Sequence, residues 1–595
     1  MKRLLTSLAI VAIAAGAWAA YQAAKPVPPP LARFMPPDAL LYLEAKDFAG
    51  LLSEWNASPQ KASWLKSDNY SAFSRSRLFL RLQQAQKEFA AAGGLPPDMN
   101  FAAQVAGRES ALAIYDIGKL EFVYVTYLPS AKAMQTALWQ SRSKFEPRSS
   151  GGAGFFVRTD PESKRVVAFA TTDDYLVLGT REDLVAAAVA LLSGQKARNL
   201  AQSEWYAKSI AAAPRERGDL RMVLDLADIA QTPQFRTYWI QQNITETRQY
   251  QAGVVDLYRG ATQYREERVL LRAGDQEAEA STSEDMPHGA VTTEGARSAA
   301  DLLKFVPDGA GVYRAMANPT PKEALRLMLV KILTPHIGPA PVQRLAPQVA
   351  LSGGQVGSES DLETRIDQQP VSRYQNERSV DQLESVLTQA GLEAVLQVAS
   401  TQRAPNGVFI GPRSVLVLAS SSDWNGDAVR TAIQTAIRPG LTAAQLGVQW
   451  RQSGATYRLD GLMPLAVATQ GRYLFLSDDA TALEAVLARG GSTSSVRSAT
   501  YAAGFSHATE RDNFLRLTGL IDRSAPERPA YGAAAMRADE PAMQPVGDPA
   551  PREPEFFSEN IAGLSTTLKD VRSQSIIVHE SASRVRQTVM YEWSK

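Results

Sequence analysis

The sequence predicts an α+β protein built from two divergent tandem repeats, each of mainly antiparallel sheet with inserted helices. Three observations predict this fold. Apolar and polar residues alternate in many short runs, which is typical of strands with one covered face and one wetter face. A pair of such runs followed by a helical pattern occurs twice, at Val166–Gly194 and Leu465–Gly491. Further segments of the first half recur in the same order in the second half.

The N-terminal region carries the pattern of an export signal. Lys2 and Arg3 precede an uncharged apolar run that ends near Tyr21, and residues 17–19 (Ala-Trp-Ala) fit the rule for signal-peptidase cleavage. The run is also just long enough to cross a bilayer. Residues 1–24 are therefore expected to be either a signal peptide, cleaved after residue 19, or an N-terminal membrane anchor. In both cases the body is exported, and we expect it in the periplasm or anchored to the inner membrane facing the periplasm.

Composition excludes several classes of function. The chain of 595 residues has 63 Lys and Arg against 62 Asp and Glu, so no global field draws it to nucleic acid. It has no cysteine, which excludes disulfides, thiolate metal ligands, a catalytic thiol and a cysteine-linked lipid anchor. Residues 25–33 are Pro-rich and predict a stiff spacer after the N-terminal segment.

The first repeat is assigned to residues 34–272. After an opening strand, its long connection contains an amphipathic helix that stops at Gly93-Gly94, ahead of two prolines. The predicted apolar face of this helix consists of Leu78, Leu82, Ala85 and Phe89. Alternating runs, read as antiparallel strands with helices among them, complete the repeat.

The two halves match best at a strand followed by a helix. Tyr175–Leu178 aligns with Tyr473–Leu476. The apolar faces of the helices that follow are predicted to be Leu184, Ala188 and Leu191 in the first half, and Leu483, Val486 and Leu487 in the second. Four further segment pairs keep the same order, at an offset of roughly 270–320 residues, which favours duplication.

Helix ends are also predicted from this alignment. Thr180 with Asp183, and Thr481 with Glu484, stand at the spacing of a capping box. Gly194 and Gly490 are placed to end the two helices.

Residues 273–300 are predicted to be a linker, because Asp275–Arg297 is acidic and lacks aromatic residues. The second repeat is assigned to residues 301–595. Residues 523–555, rich in Pro, Ala and Glu, are predicted to be a disordered insertion within it. Two strands after Phe556 would then complete its sheet.

One resemblance accompanies this order of segments. The opening "PPDALLYLEAKDFAGLL", the "YLVL" strand with its Ala/Leu helix, and the strand "DLRMVLDL" resemble a bacterial cell-envelope family known only as a domain of unknown function. The resemblance covers most of residues 34–272 and, more faintly, 304–595. It implies an exported location and the tandem α+β fold, and it carries over no activity and no functional residue.

Leu351–Gln355 reads LSGGQ, which resembles the signature loop of ATP-binding-cassette ATPases. Such ATPases need a phosphate loop, and no G-x-x-x-x-G-K-[ST] occurs in the chain. Gly118-Lys119 is followed by Leu120, and Leu226 follows Asp225 where a catalytic Glu is expected. We interpret LSGGQ as a Gly-rich turn where the two halves diverge, and predict no ATP binding.

"SWLKSDN", Ser63 to Asn69, contains two elements of penicillin-recognising serine enzymes, S-x-x-K and S-D-N. The two elements are contiguous here, whereas those enzymes take S-D-N from a distant loop, and no K-T-G element follows. Ser58 and Lys61 form a second S-x-x-K, which indicates that the pattern arises by chance. A polar helix end is the favoured interpretation.

The remaining candidates also favour structural roles. No H-E-x-x-H or G-x-S-x-G occurs, and the four histidines are scattered at His288, His336, His507 and His579. Gly151–Gly154 is expected to form a hairpin, and the acidic pairs Asp173-Asp174 and Asp478-Asp479 are expected in turns and caps. We therefore predict no catalytic residue, no cofactor-binding residue, no metal ligand and no cofactor.

The most basic helix contains Arg75, Arg77, Arg81 and Lys87. A solvated face is the first interpretation, and contact with anionic lipid headgroups is the alternative.

These observations favour an exported, non-enzymatic envelope protein that acts as a binding or scaffold module. Its expected partner is an envelope protein or lipid, with membrane attachment through the N-terminal segment if that segment is uncleaved, and no nucleic acid or ATP. The first alternative is a periplasmic carrier of lipid or another apolar ligand. The second is an envelope hydrolase whose site has no recognisable motif.

Overall fold

The fold was analysed in a computed structural model that describes residues 30–66, 70, 73–75, 77–96, 101–233, 248–273, 291–333, 377–403, 410–442, 450–459, 464–513 and 571–593. The chain divides into two compact units. The first comprises Met1–Glu44 and Glu88–Ala207, and the second comprises Ala45–Lys87 and Lys208–Lys595. The predicted α+β class with antiparallel sheet is confirmed, while the repeat bounds 34–272 and 301–595 stay a prediction.

Helices occur in both units, and we number the described α-helices in chain order. They are α1 (Phe48–Ala57), α2 (Pro59–Leu65), α3 (Arg77–Gly93), α4 (Phe101–Val105), α5 (Ser130–Ala133), α6 (Ala137–Gln140), α7 (Glu182–Leu192), α8 (Glu204–Ala212), α9 (Leu226–Ile229), α10 (Thr293–Leu302), α11 (Pro321–Met328), α12 (Glu377–Ala390), α13 (Gly426–Thr442) and α14 (Ala480–Leu487). Short 3₁₀ turns at Leu31–Phe34, Arg142–Lys144, Leu200–Gln202 and Leu303–Phe305, and a π-helical segment at Leu329–Leu333, complete the helical structure.

The sheet of the first unit runs in the order β1-β2-β3-β7-β6-β5-β4. Its strands are β1 (Leu41–Ala45), β2 (Ser110–Asp116), β3 (Glu121–Tyr127), β4 (Glu146–Ser150), β5 (Ala153–Thr159), β6 (Val166–Thr172) and β7 (Tyr175–Gly179). Every neighbouring pair from β2 to β4 is antiparallel. Helix α7 follows β7 and buries Leu184, Ala188 and Leu191, the apolar face predicted for it, together with Val185, Val189 and Ala190.

The sheet of the second unit is antiparallel at each described junction. Its order is β8-β9-β10-β20-β19-β18-β11-β12-β13-β17-β16-β15-β14. The strands are β8 (Leu220–Asp225), β9 (Tyr250–Arg259), β10 (Gln263–Arg272), β11 (Val312–Ala317), β12 (Leu392–Arg403), β13 (Ile410–Ser420), β14 (Arg451–Ser453), β15 (Thr456–Leu459), β16 (Leu465–Gln470), β17 (Tyr473–Ser477), β18 (Tyr501–Ser506), β19 (Val571–Glu580) and β20 (Arg584–Trp593).

The centre of this sheet is covered on both faces, so the predicted wetter face is wrong for these strands. Along β13, Leu416 and Leu418 belong to one apolar cluster, which also contains Leu383 of α12 and Ile433 of α13. The alternate residues of β13 belong to a second cluster, with α10 and α14; they are Val415, Val417 and Ala419. Because successive side chains point to opposite faces, a strand buried on both sides reads as a continuous apolar run.

The wetter pattern does occur in the long strands at the other end of the second unit. Most residues of β10, β19 and β20 are half-buried, and only a few, such as Val269, Val585 and Val589, are fully covered. The prediction of one covered and one wetter face therefore suits these strands, and also β8, in which buried and half-buried residues alternate.

The predicted linker is shorter than expected. Helix α10 begins at Thr293, inside the segment 273–300, with Thr292 accepting a hydrogen bond from the backbone N–H of Gly295 at 3.0 Å. Ala296, Ala299 and Ala300 are buried. Small alanines make this helix easy to miss by sequence, because they carry little hydrophobic signal although they pack closely. The predicted insertion at 523–555 lies outside the described residues.

In the described residues, no helix is long and apolar enough to cross a membrane. The predicted signal peptide or anchor, residues 1–24, and most of the spacer lie outside that part of the chain.

Candidate functional site

The residues that the sequence analysis considered as catalytic or binding candidates have structural roles, wherever the structure describes them. Lys119 lies in the turn between β2 and β3, and its backbone N–H donates to Asp116 Oδ1 at 2.8 Å. LSGGQ, at Leu351–Gln355, lies outside the described residues. In the second S-x-x-K, Lys61 Nζ donates to Asn56 Oδ1 at 2.5 Å, and Ser58 Oγ donates to the carbonyl of Trp55 at 2.8 Å. Each side chain therefore donates to a residue other than its partner in the motif, while Ser58 Oγ accepts from the Lys61 backbone N–H at 3.1 Å, as at a polar helix end.

The acidic pairs fall in turns and caps, as predicted. Asp173, with φ 51°, and Asp174 form the turn between β6 and β7. Asp478 Oδ1 accepts from the Ser414 N–H at 2.8 Å, and burial raises the pKa of its carboxyl group. Asp479 Oδ1 accepts from the Ala482 N–H at 2.7 Å and caps α14. These carboxylates support the backbone.

The predicted glycine hairpin is confirmed. Gly151 and Gly152 connect β4 to β5, and both have positive φ, 62° and 84°. Two successive positive φ angles are the requirement of a type I′ turn, which glycine meets without strain.

The two histidines that the structure describes, His507 and His579, do not belong to a metal-binding group. His507 is buried, and burial, followed by the nearby Arg511 charge, lowers its pKa to about 4. His579 lies in β19, while His288 and His336 are outside the described residues. In the part of the chain that the structure describes, no group of three or more His, Asp or Glu side chains could hold a metal ion.

One polar network that the sequence does not predict joins three distant segments of the second unit. Ser298 Oγ in α10 donates to Glu393 Oε2 at 2.5 Å, and Arg472 donates to Ser298 Oγ at 2.6 Å and pairs with Glu393. Beside it, Tyr473 OH donates to Asp301 Oδ2 at 2.5 Å. The members lie 79 to 174 residues apart in the chain, so no sequence spacing reveals them. Because Ser298 donates directly to a carboxylate that also pairs with arginine, we assign the network to holding α10 on the sheet.

A different feature concerns a helical segment of the second unit. We call residues 48–87, comprising α1, α2 and the first turns of α3, the helical arm. It exposes Trp55, Leu65, Leu80 and Leu82, with exposed fractions of 47%, 45%, 54% and 43%. Helix α1 has no buried residue although its sequence is largely apolar. Exposed apolar side chains grouped on one segment mark an interaction surface more often than scattered ones do.

The apolar face predicted for α3 is only partly covered. Phe89 packs against Phe101 and Phe122, at ring distances of 5.4 and 6.2 Å. Leu82, on the same predicted face, is exposed, and the side chain of Leu78 lies outside the described part of the chain. Amphipathic periodicity predicts which side of a helix is apolar, and it does not predict whether this chain covers that side.

Aromatic contacts hold the arm to itself. Trp64 contacts Tyr70 at a ring distance of 6.2 Å, and Phe79 contacts Tyr70 and Phe73 at 6.0 and 5.2 Å. Edge-to-face pairs of this kind each contribute about 0.5–1.5 kcal/mol beyond area burial. The arm therefore has an internal core, and its exposed leucines lie outside that core.

The arm is also basic, in contrast to the neutral chain. Its cations are Lys61, Lys66, Arg75, Arg77, Arg81 and Lys87, against the two acids Glu54 and Asp68. Six positive and two negative charges give a net +4, whereas the whole chain carries +1. The arm thus combines exposed apolar side chains with positive charge.

Comparisons with known proteins identify no family. No protein-family model matches the chain, and no curated protein matches it. Among solved structures, crystal form IV of TP0453 matches with a TM-score of 0.22 at 10% identity, over 40% of this chain and 79% of that one. Crystal forms III and I match at 10% identity with TM-scores of 0.22 and 0.21, over 42% and 41% of this chain and 81% and 80% of theirs. Scores of this size support no conclusion about this chain.

Proposed function

We propose that this is an exported, non-enzymatic envelope protein that binds an anionic membrane surface through the helical arm and acts there as a binding or scaffold module. The observation that carries the proposal is the coincidence of exposed Trp55, Leu65, Leu80 and Leu82 with a net charge of +4 on one helical segment. Interfacial helices bind membranes by this combination, with apolar side chains among the acyl chains and basic groups at the headgroups.

The expected energies are sufficient for reversible binding. Full burial of a leucine side chain contributes about 1.5–3 kcal/mol, and these leucines are about half exposed, so each contributes a part of that. Each Lys or Arg near an anionic surface adds about 1 kcal/mol. If residues 1–24 remain as an anchor, they raise the effective concentration of the arm at the membrane.

The proposal also includes the two tandem repeats. The order β1-β2-β3-β7-β6-β5-β4 in the first unit has a counterpart within the second unit in β11-β12-β13-β17-β16-β15-β14. Helices α7 and α14 follow the corresponding strands β7 and β17, and the series β8-β9-β10 corresponds to β18-β19-β20. A shared order of this length supports duplication of one α+β unit.

A carrier of lipid or another apolar ligand has less support. Such a carrier needs an apolar cavity, and both apolar clusters of the second unit are filled with side chains from the sheet and its helices. Native mass spectrometry of protein purified from its own host separates the two proposals, since a bound lipid would favour the carrier.

Vesicle flotation tests the membrane proposal. The chain beginning at residue 20 should float with vesicles that contain phosphatidylglycerol and far less with neutral phosphatidylcholine vesicles. Leu80→Asp should lower partition into anionic vesicles at least about tenfold, because it removes apolar contact and adds a repelled charge.

The matched control for this test is Met134→Asp in the first unit, which changes a side chain of similar exposure, 45%, outside the arm. It should change partition less than about twofold. Equal loss in both variants, or no binding of the unaltered chain to anionic vesicles, would refute the proposal. Circular dichroism verifies that both variants are folded.

A further inference from the structure

A cleft in the first unit is lined by three basic side chains. Its volume is about 650 Å³, and its lining comes from the 3₁₀ turn Leu31–Phe34, the end of α7 and the loop that follows α7. Arg33 belongs to the turn, and Lys196 and Arg198 belong to the loop. No Asp or Glu is among the described residues that line it.

These three cations have no counter-charge. All three side chains are exposed, and in the described part of the chain none of them takes part in an ion pair. Three like charges around one concave surface raise the local positive potential and concentrate anions there.

The second unit provides an internal comparison. Its 3₁₀ turn Leu303–Phe305 also places a cation, Lys304, directly before a phenylalanine, but Lys304 Nζ pairs with Asp301 at 3.0 Å. After α14, Arg489 pairs with Asp308 at 3.0 Å. The loop beyond Gly490 has Ser and Thr at 492–495, where the first unit has Lys196 and Arg198, and carries one exposed cation, Arg497, nearer to β18.

The comparison separates what the fold requires from what the first unit adds. In the second unit the cation of the turn and the cation at the helix end are both paired to carboxylates, so an unpaired cation at the turn is not needed to build the arrangement. Unneutralised positive charge in the first unit therefore points to a ligand.

We propose that the cleft binds an anion that carries a phosphate group and a small apolar portion. Arginine presents a planar fork of donors that matches phosphate oxygens, and lysine adds a compact positive charge. Phe34 and Leu191 supply an apolar wall, and Phe34 is held by its ring contact with Tyr175 at 5.5 Å. The volume lies within the usual range of small-ligand sites, about 300–1,000 Å³.

Phosphate is preferred over carboxylate because of the number of cations. A doubly charged phosphate monoester would leave one of the three positive charges unneutralised, whereas a single carboxylate would leave two. The same chemistry is offered by a soluble phosphate ester and by the headgroup of phosphatidic acid. The proposal does not depend on membrane binding by the helical arm.

Isothermal titration calorimetry of the chain beginning at residue 20, at low ionic strength, tests the site. The probes are inorganic phosphate, glycerol 3-phosphate, dihexanoyl phosphatidic acid as monomers, and acetate. The double variant Lys196→Gln/Arg198→Gln should weaken phosphate-ester binding at least about tenfold. The control Lys119→Gln/Lys132→Gln removes the same charge from exposed lysines of the first unit outside the cleft and should change binding less than about twofold.

Each result of these titrations either supports or overturns the phosphate site. Tightest binding of phosphatidic acid supports the site with a lipid headgroup as its source, and equal binding of glycerol 3-phosphate supports it with a soluble ester. Equal weakening in the control, acetate binding as tight as the esters, or no saturable binding below about 1 mM would overturn it. Leu80→Asp should leave these titrations unchanged, so failure of the cleft and failure of the membrane proposal are distinguishable.

Discussion

At the scale of single residues, the register of the sheet brings together one pair of buried charges in the second unit. Arg221 in β8 lies opposite Asp256 in β9, and its Nε and one terminal nitrogen donate to the carboxylate at 2.8 and 2.7 Å. The Gly218 N–H adds a third donor at 3.1 Å. Removing one partner of such a pair costs about 3–5 kcal/mol, because the other charge stays buried. Burial of Asp256 is thus possible only because β8 and β9 pair in this register.

His507 should make the folded protein less stable as the pH falls below 6.5. Burial lowers its pKa in the folded protein to about 4 from 6.5, so the unfolded chain binds the proton more tightly. The contribution of neutral His507 is complete above pH 6.5 and is lost as pH falls toward 4. Its size is on the order of 3 kcal/mol.

Urea unfolding between pH 7 and pH 4 measures this effect in the unaltered chain and in His507→Gln, which stays neutral throughout. The variant should lose less stability over this interval. An identical pH dependence in both chains would contradict the assignment to His507 and point to other groups, such as His579, whose pKa burial also lowers.

At the scale of elements, the helices exist where periodicity predicts them, but their caps differ. Helix α7 begins at Glu182, and Thr180 Oγ1 accepts instead from the Phe122 N–H at 3.0 Å. Helix α14 begins at Ala480 with Asp479 as its cap, so Thr481 lies inside the helix. Both predicted capping boxes are therefore wrong. Sequence spacing alone cannot distinguish two neighbouring residues that could each cap a helix. The cap is the last residue in the extended conformation, and the pairing of the preceding strand decides which residue that is.

The caps give a direct test. Asp479→Ala should destabilise the protein by about 1 kcal/mol, within the range of about 0.5–2 for such caps, because the Ala482 N–H loses its acceptor. Thr481→Ala, at an exposed position within the helix, should stay within about 0.5 kcal/mol of the unaltered chain.

Thermal and urea unfolding of the two single variants provide the comparison. A larger loss from Thr481→Ala than from Asp479→Ala would show that the cap is the one the sequence spacing predicted. Asp479 also pairs with Arg413, so Arg413→Gln is the appropriate further control.

At the scale of the whole second unit, its last strand joins two β-hairpins into one sheet. β20 pairs with β19 and, along Gln263–Leu271, with β10. Residues more than 300 positions apart are therefore neighbours, and Thr588 Oγ1 of β20 donates to Glu267 Oε2 of β10 at 2.9 Å. Such long-range pairing leaves no exposed edge on β10, which would otherwise be open to intermolecular pairing.

Ending the chain at Ser583 should therefore destabilise the protein and promote association. The truncation removes the buried Val585 and Val589 and unpairs one edge of both β10 and β19. We expect a melting temperature lower by at least about 5 °C. Size-exclusion chromatography should show oligomers.

The control ends at Trp593, after β20, and removes only the last two residues. It should behave as the full chain does. A truncated chain that remains monomeric with an unchanged melting temperature would show that β20 is dispensable.

The sequence by itself determined much of the local structure. Alternating runs predicted the antiparallel strands, the Tyr175–Leu178 and Tyr473–Leu476 motifs predicted the strand and helix pairs, and Gly151-Gly152 predicted the hairpin. These features depend on local periodicity and on backbone conformations that particular residues favour, so they are readable along the chain. Because no catalytic motif was recognised in the sequence, no catalytic residue was predicted from it.

Only the tertiary structure decided which surfaces are covered and which charges meet. Periodicity marked Leu82 as part of an apolar face, yet whether a neighbour packs on that face depends on segments elsewhere in the fold, and here it is exposed. Ser298, Glu393 and Arg472 meet across long sequence distances, while Arg33, Lys196 and Arg198 line one cleft without a carboxylate. Whether an apolar side chain is covered, and whether a charge has a partner, depend on the three-dimensional arrangement. The helical arm and the basic cleft were therefore found in the structure and not in the sequence.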